Sequence, residues 1–365
     1  MQTNETHSTL LDERREKFEA ALKKHVADAE AGPSGAAMEL SKHVLLAGGK
    51  RWRPVLVMLA YELAGGERDE DIMPLALAFE LIHTATLVHD DINDNAKLRR
   101  GATTLHERFG SVKAVIAGDY LFVEGFALGG RFSQRIVGLI ADCCARIATA
   151  ELKQLEHVGN LGTTPEDYYS IIEGKTAGPF SAGCEAAAVV AGADEQTAAR
   201  LGSFGLELGL AFQIVDDLLD LLGDERMGKQ RGADVLEGKM TLPLIHALTL
   251  SHGDSRRRLG ELISEFNDGV WEELIELLER SGSLEYAHVL VNNHLTRALD
   301  SLLTFPESEL RDALEWLTRQ VMERNESDFD SRSRADIEYD RTCSARVDMG
   351  LIFKTVGVVV KGTGY

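Results

Sequence analysis

The sequence predicts an all-α protein, a bundle of helices, on three observations. From Leu10 to about Asn325 the apolar residues recur at steps of three and four, the period that gives a helix one oily face. The interruptions are short joints carrying Gly, Pro or Asp, which stop and restart helices. Alternating β-branched runs, the mark of half-buried strands, do not break this pattern.

Helices are expected near 9 to 30, 36 to 47, 53 to 64, 70 to 93, 111 to 128, 133 to 158, 164 to 191, 193 to 222 and 241 to 251, with four more before 325. Gly48-Gly49 stops the second, and Arg53-Pro54 opens the third, Pro being preorganised for a first helical turn. Gly65-Gly66 separates the third from the long apolar fourth. In Thr163-Thr164-Pro165-Glu166-Asp167 a cap precedes Pro and acidic residues, the pattern of a helix start. Gly174 and Gly178-Pro179 bracket Lys175-Thr176 and should kink the helix that contains them. No long linker divides these elements, so residues 1–325 are read as one helical domain. Residues 326–365 form a distinct C-terminal tail: Glu326 to Asp348 is charged and irregular, and MGLIFKTVGVVV lacks helical amphipathicity and is too short to span a bilayer.

With 365 residues, 44% of them hydrophobic, the chain can bury a large core. A net charge of −20 without a basic stripe argues against a nucleic-acid binder and suits a very soluble cytoplasmic protein. The opening MQTNETHSTLLDERREKFEAAL lacks the apolar centre of a signal peptide, so export is not expected. Cys143, Cys144, Cys184 and Cys343 form neither a metal-binding CxxC pattern nor a disulfide framework.

Two acidic clusters carry the chemistry. Asp90, Asp91 and Asp94 form DDIND, and Asp216, Asp217 and Asp220 form DDLLD, each closing a strongly apolar helix. Residues four apart share a helix face, so Asp90 with Asp94, and Asp216 with Asp220, point the same way. Carboxylate pairs suit Mg²⁺, which keeps several waters and is usually completed by substrate phosphates. One such cluster reads equally well as a solvated helix end. Two of them, each beside apolar sequence where unpaired carboxylates are costly, point to metal and a diphosphate.

Basic groups answer them. Gly48-Gly49-Lys50-Arg51-Trp52-Arg53-Pro54 sets a turn before three cations, with Lys50 and Arg53 spaced for one helix face. Arg99-Arg100 follows DDIND, Lys175-Thr176 sits at the expected kink, and Lys229 and Lys239 flank a Gly-rich loop after DDLLD. Singly, each is an ordinary surface cation; in this order they suit diphosphate binding.

These segments, GGKRWRP, ELIHTATLVHDDIND, LRRG, GKTAG, FQIVDDLLD and GKMTLP, resemble the trans-isoprenyl diphosphate (polyprenyl) synthases in order and approximate spacing, over about residues 10–325. The resemblance implies an isoprenoid-synthase-type bundle of antiparallel helices around a deep central cavity, paired as a homodimer. It implies that Lys50, Arg53 and His83 hold isopentenyl diphosphate with Arg100, and that Arg99, Lys175, Thr176, Gln213, Lys229 and Lys239 contact an allylic diphosphate. Asp90, Asp94 and Asp216 would lead ligation of two to three Mg²⁺ ions, with Asp91, Asp217 and Asp220 assisting. The reaction implied is head-to-tail condensation of the two diphosphates.

Product length should depend on how far the growing tail can run along the helix that ends in DDIND. Relatives that make farnesyl diphosphate often carry an aromatic four or five residues before the first Asp, where this chain has Thr86 and Ala85. Geranylgeranyl diphosphate is therefore expected, with Phe79, Ile82, Phe122 or Phe126 as the floor. A di-iron oxidoreductase is the rival from another class, since Glu80-x-x-His83 and Glu285-x-x-His288 are ExxH patterns; it leaves both aspartate clusters unexplained. A terpene cyclase would not need Lys50, Arg53, His83 and Arg100, and a noncatalytic subunit should have lost some of these groups.

Overall fold

The helical period is realised nearly as read. The computed structural model describes residues 2–99, 101–222, 231–321 and 323. The expected tail, residues 326–365, lies outside them, and the helices all belong to the body Met1–Met322. They are α1 (Gln2–Glu30), α2 (Gly35–Leu45), α3 (Trp52–Leu63), α4 (Asp69–Asn93), α5 (Leu105–Phe109), α6 (Ser111–Gly129), α7 (Gln134–His157), α8 (Pro165–Ile172), α9 (Gly178–Val190) and α10 (Glu195–Leu222). Then come α11 (Ala233–Leu236), α12 (Leu242–Leu250), α13 (Gly253–Ser264), α14 (Trp271–Arg280), α15 (Ser283–Leu302) and α16 (309–321). A two-stranded antiparallel ribbon, β1 (Leu98–Arg99) with β2 (Ala102–Thr103), is the one sheet among the described residues.

Helix α4 is buried on nearly every side, as a helix apolar all round must be. It runs against α3, α6 and α9, while α10 lies against α9 and α15. Two-thirds of its most apolar window, 67%, is inside the protein, so its membrane-like length and hydropathy belong to a core helix. The core passes from Phe18 and Leu22 of α1 through Met58 and Leu59 of α3 and Leu75 and Leu81 of α4 to Phe204 and Leu208 of α10, all 0% exposed. Each such side chain contributes about 1.5–3 kcal/mol by leaving water.

The start of α8 has the predicted cap. The Asp167 backbone N–H donates to Thr164 Oγ1 at 3.2 Å, the Thr164 N–H donates to Asp167 Oδ2 at 3.2 Å, and Pro165 opens the helix. The Lys153 ammonium and the Thr164 groups lower the Asp167 carboxyl to about 2.

The long helix expected over 164–191 is instead α8 and α9 joined by a π-helical turn, Glu173–Ala177. This is the predicted kink at Lys175-Thr176, made by widening the helix rather than breaking it. A Cβ at Gly174 would stand 2.7 Å from Ala150 Cβ and 2.9 Å from the Arg146 carbonyl oxygen, so the turn is pressed against the backbone of α7.

Candidate active site

Both aspartate clusters close helices, and side chains from the rest of the bundle join those two ends. Asp90 and Asp94 lie in the last turn and C-cap of α4, and Asp216 and Asp220 in the last two turns of α10. Helix C-termini carry partial negative charge, which reinforces the carboxylates' pull on cations. Lys239 Nζ lies 3.4 Å from Asp94 Oδ2 and 3.6 Å from Asp234 Oδ1, and also pairs with Glu237. The Asp234 backbone N–H donates to Asp220 Oδ2 at 2.9 Å, completing a path from the first cluster to the second. Burial opposes the charge on Lys239, but Asp234, Glu237 and Asp94 hold its pKa above the ordinary lysine value.

A second path runs through the π-turn. Lys175 Nζ is 3.6 Å from Asp90 Oδ1 and 2.6 Å from Glu151 Oε1, and donates to Gln154 Oε1 at 2.9 Å. Thr176 Oγ1 donates to Gln213 Oε1 at 2.7 Å, and Gln213 Nε2 donates to Asp217 Oδ1 at 2.7 Å. Burial, with Asp90 beside it, pushes the Glu151 carboxyl upward.

The members of each cluster differ. Asp90 and Asp94 retain side-chain exposures of 16% and 25%, and Asp216 is half-buried. Asp91 is buried and receives the Arg99 Nε–H, and Asp217 is buried and accepts from Tyr168 OH at 2.7 Å. Burial raises Asp91 against the opposing pull of Arg99; burial and then Asp234 raise Asp217 well above the carboxylate range. The expectation that Asp91 and Asp217 assist in ligation meets carboxylates already committed to protein donors. Arg99, expected on the allylic diphosphate, is turned to Asp91. Arg100 and Lys229 lie outside the described residues.

Among the described residues no group of three or more His, Cys, Asp or Glu side chains is close enough to hold a metal by itself. The partly exposed pair Asp90 and Asp94, which already face the ammonium groups of Lys175 and Lys239, suits a hard cation whose shell is completed by water and phosphate oxygens. The di-iron alternative is not assembled: Glu80 is buried against Arg51, and of the second pair Glu285 is exposed while His288 is buried.

Two turns before Asp90, on the same face of α4, His83 meets the groups expected at isopentenyl diphosphate. Arg53 Nη1 is 3.0 Å from His83 Nε2, and its guanidinium carbon lies 4.8 Å from the centre of the Phe180 ring. Lys50 Nζ sits 5.6 Å from the Trp52 ring centre. Arg53, His83, Thr86 and Lys175 line a cleft whose remaining walls are Phe79, Ile82 and Pro179 with Ile140, Cys143, Cys144 and Ile147 of α7. The stripes 79-82-83-86 and 140-143-144-147 share the spacing i, i+3, i+4, i+7, so one face of α4 opposes one face of α7.

Phe122 and Phe126 do not line this cleft. Small residues of α6 meet α4, where a Cβ on Gly118 would stand 2.2 Å from His89 Nε2 and one on Gly125 would stand 2.8 Å from Ile82 Cγ1. That phase leaves Phe122 stacked on His89 and Phe126 exposed. Sequence reasoning misses Glu151, Gln154, Asp234, Glu237 and Tyr168. Glu151 and Gln154, three apart on α7, had helical spacing as their only signal, and a solvated face has the same signal.

Comparison with known proteins shows what the whole chain is similar to. The sequence pattern of the family described as polyprenyl synthetase matches residues 36–278. The short chain isoprenyl diphosphate synthase of Methanothermobacter thermautotrophicus is 36% identical over 293 residues, covering 79% of this chain and 90% of that protein. The all-trans-nonaprenyl-diphosphate synthase (geranyl-diphosphate specific) of Rhodobacter capsulatus is 38% identical over 291 residues, covering 79% and 89%. The crystal structure of a polyprenyl synthase from Caulobacter crescentus, complexed with calcium and isoprenyl diphosphate, superposes with a TM-score of 0.79 at 35% identity, over 87% of this chain and 97% of that one.

Proposed function

The chain belongs to the polyprenyl synthetase family and is a magnesium-dependent trans-prenyltransferase; from that premise we propose that it extends an allylic diphosphate with isopentenyl diphosphate as far as geranylgeranyl diphosphate. The observation that carries this reading is the cleft with Arg53, His83 and Lys175 at its polar end and apolar walls from α4 and α7. Such a cleft matches a diphosphate head with a hydrocarbon tail.

In this reading Lys50, Arg53 and His83 hold isopentenyl diphosphate with Arg100, and Lys175, Thr176, Gln213 and Lys239, with Arg99 and Lys229, serve the allylic diphosphate. Asp90, Asp94 and Asp216 would hold two to three magnesium ions, with Asp220 beside them; Asp91 and Asp217 brace Arg99 and Gln213. Magnesium held there would supply neutralising charge to the departing diphosphate. Lys175 and Lys239, already beside Asp90 and Asp94, need little reorganisation to face the same anion. Arg53 and His83 fix the isopentenyl double bond near the allylic carbon, and the apolar walls keep water from the cation that forms there. The departing diphosphate takes the proton, so no side-chain nucleophile is needed.

Thr86 leaves the upper cleft open while Phe79 and Ile82 lie two to three turns below Asp90, which favours a C20 tail over C15. Incubation with labelled isopentenyl diphosphate, Mg²⁺ and C5, C10 or C15 primers should give C20 by chromatography, and only C15 would contradict the assignment. Thr86→Phe should shift the main product to C15, and Phe79→Ala should extend it beyond C20.

We also assign a homodimer formed through α6, working in the cytoplasm. Val112, Val115, Ile116, Val123 and Phe126 form one exposed apolar face on this helix, 36–76% exposed, the kind of contiguous apolar surface that suits a contact between proteins. The free thiols Cys143, Cys144 and Cys184 suit a reducing compartment. Sedimentation should give twice the chain mass for the wild type and a monomer for Ile116→Asp; a monomeric wild type would remove the assignment.

A further inference from the structure

Of the three cations in Lys50-Arg51-Trp52-Arg53, the outer two are assigned to substrate and the middle one is not, and Glu80 of the ExxH pattern is likewise without a role. We propose that Arg51 and Glu80 are positioning residues for the isopentenyl diphosphate site, an inference that rests on Lys50, Arg53 and His83 forming that site.

Arg51 points into the protein while its neighbours serve the surface. Its side chain is 1% exposed, whereas Lys50 is exposed and Arg53 half-buried. Nη1 donates to Glu80 Oε1 of α4 at 2.5 Å, Nε donates to Glu19 Oε1 of α1 at 2.7 Å, and Nη2 donates to the Leu45 carbonyl oxygen at 2.6 Å. One guanidinium thereby ties the end of α2, the start of α3, α1 and α4 together.

The backbone makes the purpose specific. Arg51 has φ 54° and ψ 33°, the left-handed region, which is strained for a residue that bears a side chain. At that turn the side chain at 51 is sent inward to Glu80 while the chain enters α3 with Arg53 beside His83. Glu80 and His83 stand one turn apart on α4, so one helix face receives both arginines: Arg51 on Glu80 and Arg53 on His83. The left-handed turn and the Glu80 anchor thus hold the loop in the one geometry that aims Lys50 and Arg53.

A buried ion pair is a poor source of stability, because desolvating both charges offsets most of their attraction. What three fixed donors supply here is direction, and Arg can do this where Lys, a single ammonium, cannot. Glu19 belongs to α1, ahead of the family-matched span 36–278, so the N-terminal helix contributes to the anchor.

The test is steady-state kinetics of the full chain with Mg²⁺, varying isopentenyl diphosphate and a C15 allylic diphosphate separately, on Arg51→Lys, Glu80→Gln and the pair. Each single variant should raise KM for isopentenyl diphosphate about tenfold and leave KM for the allylic substrate within about twofold, with the pair no worse than Arg51→Lys alone. Glu80→Gln keeps the size and an acceptor oxygen, so it reports even where Arg51→Lys folds poorly. Equal rises in both KM values, or a lower melting temperature with neither KM changed, would show a purely structural role and overturn the proposal. Lys50→Ala is the control on the premise: an unchanged KM for isopentenyl diphosphate there would remove the basic site itself, whatever Arg51 does.

Discussion

An Asp90→Asn enzyme should turn over at least about 10³-fold more slowly than the wild type while melting at nearly the same temperature. Asn keeps the size of Asp and one acceptor oxygen but removes the charge. If Asp90 shares in holding magnesium, the loss is felt as charge grows on the departing diphosphate; at about 4 kcal/mol it amounts to roughly three powers of ten in rate. Stability is insulated because the partner cation keeps its other contacts. Lys175, 3.6 Å from Asp90, remains 2.6 Å from Glu151 and bonded to Gln154 at 2.9 Å. The measurement is kcat with labelled isopentenyl diphosphate across a magnesium titration, beside a thermal melt. The magnesium concentration for half-maximal rate should rise, and EDTA should abolish turnover of the wild type until Mg²⁺ is restored in excess. Near-normal kcat for Asp90→Asn at saturating Mg²⁺, or wild-type turnover that survives complete chelation, would remove the metal role of this residue.

Much of the site is legible in the sequence because its signals are local. Four-residue spacing puts Asp90 with Asp94 and Asp216 with Asp220 whatever the tertiary structure, and Gly-Pro beside Lys175-Thr176 marks a helix irregularity in any bundle. What could not be read depends on which faces meet. Asp90 and Asp91 are adjacent in DDIND, yet Asp90 stays partly exposed and Asp91 is buried with Arg99, a difference set by α4's rotation in the bundle. Phe122 and Phe126 have the size and apolarity of a cavity floor, whereas α6 turns Gly118 and Gly125 to α4 instead. The ribbon Leu98–Thr103 is invisible in the sequence because two-residue strands are too short to show a period. Glu151 and Asp234 escape sequence reasoning because only the fold brings them to Lys175 and Lys239.

Gly209→Ala should lower both the stability of the enzyme and its turnover. The added Cβ would lie 2.6 Å from Ala177 Cα, a backbone atom with no rotamer to escape into. Ala177 ends the π-turn, and Gly209, Gln213 and Asp217 lie at four-residue steps along α10. Contact at Gly209, the Thr176–Gln213 bond and the Gln213–Asp217 bond therefore form one seam. Pushing the π-turn outward opens the seam from its lower end and moves Lys175 away from Asp90 and Glu151. Overpacking of this kind costs about 1–3 kcal/mol, and a displacement of about 1 Å at a positioning group can cost about 10² in rate. Gly209→Ala should thus melt several degrees lower and lose about 100-fold in kcat when assayed at a temperature where it remains folded. Gly138→Ala is the matched control: it sits on exposed α7 with nothing within 4 Å of the added Cβ, so the same methyl should stabilise the helix by about 0.5–1 kcal/mol and leave kcat alone. If Gly209→Ala also kept wild-type kcat, the seam between α10 and the π-turn would not be what holds Lys175 in place.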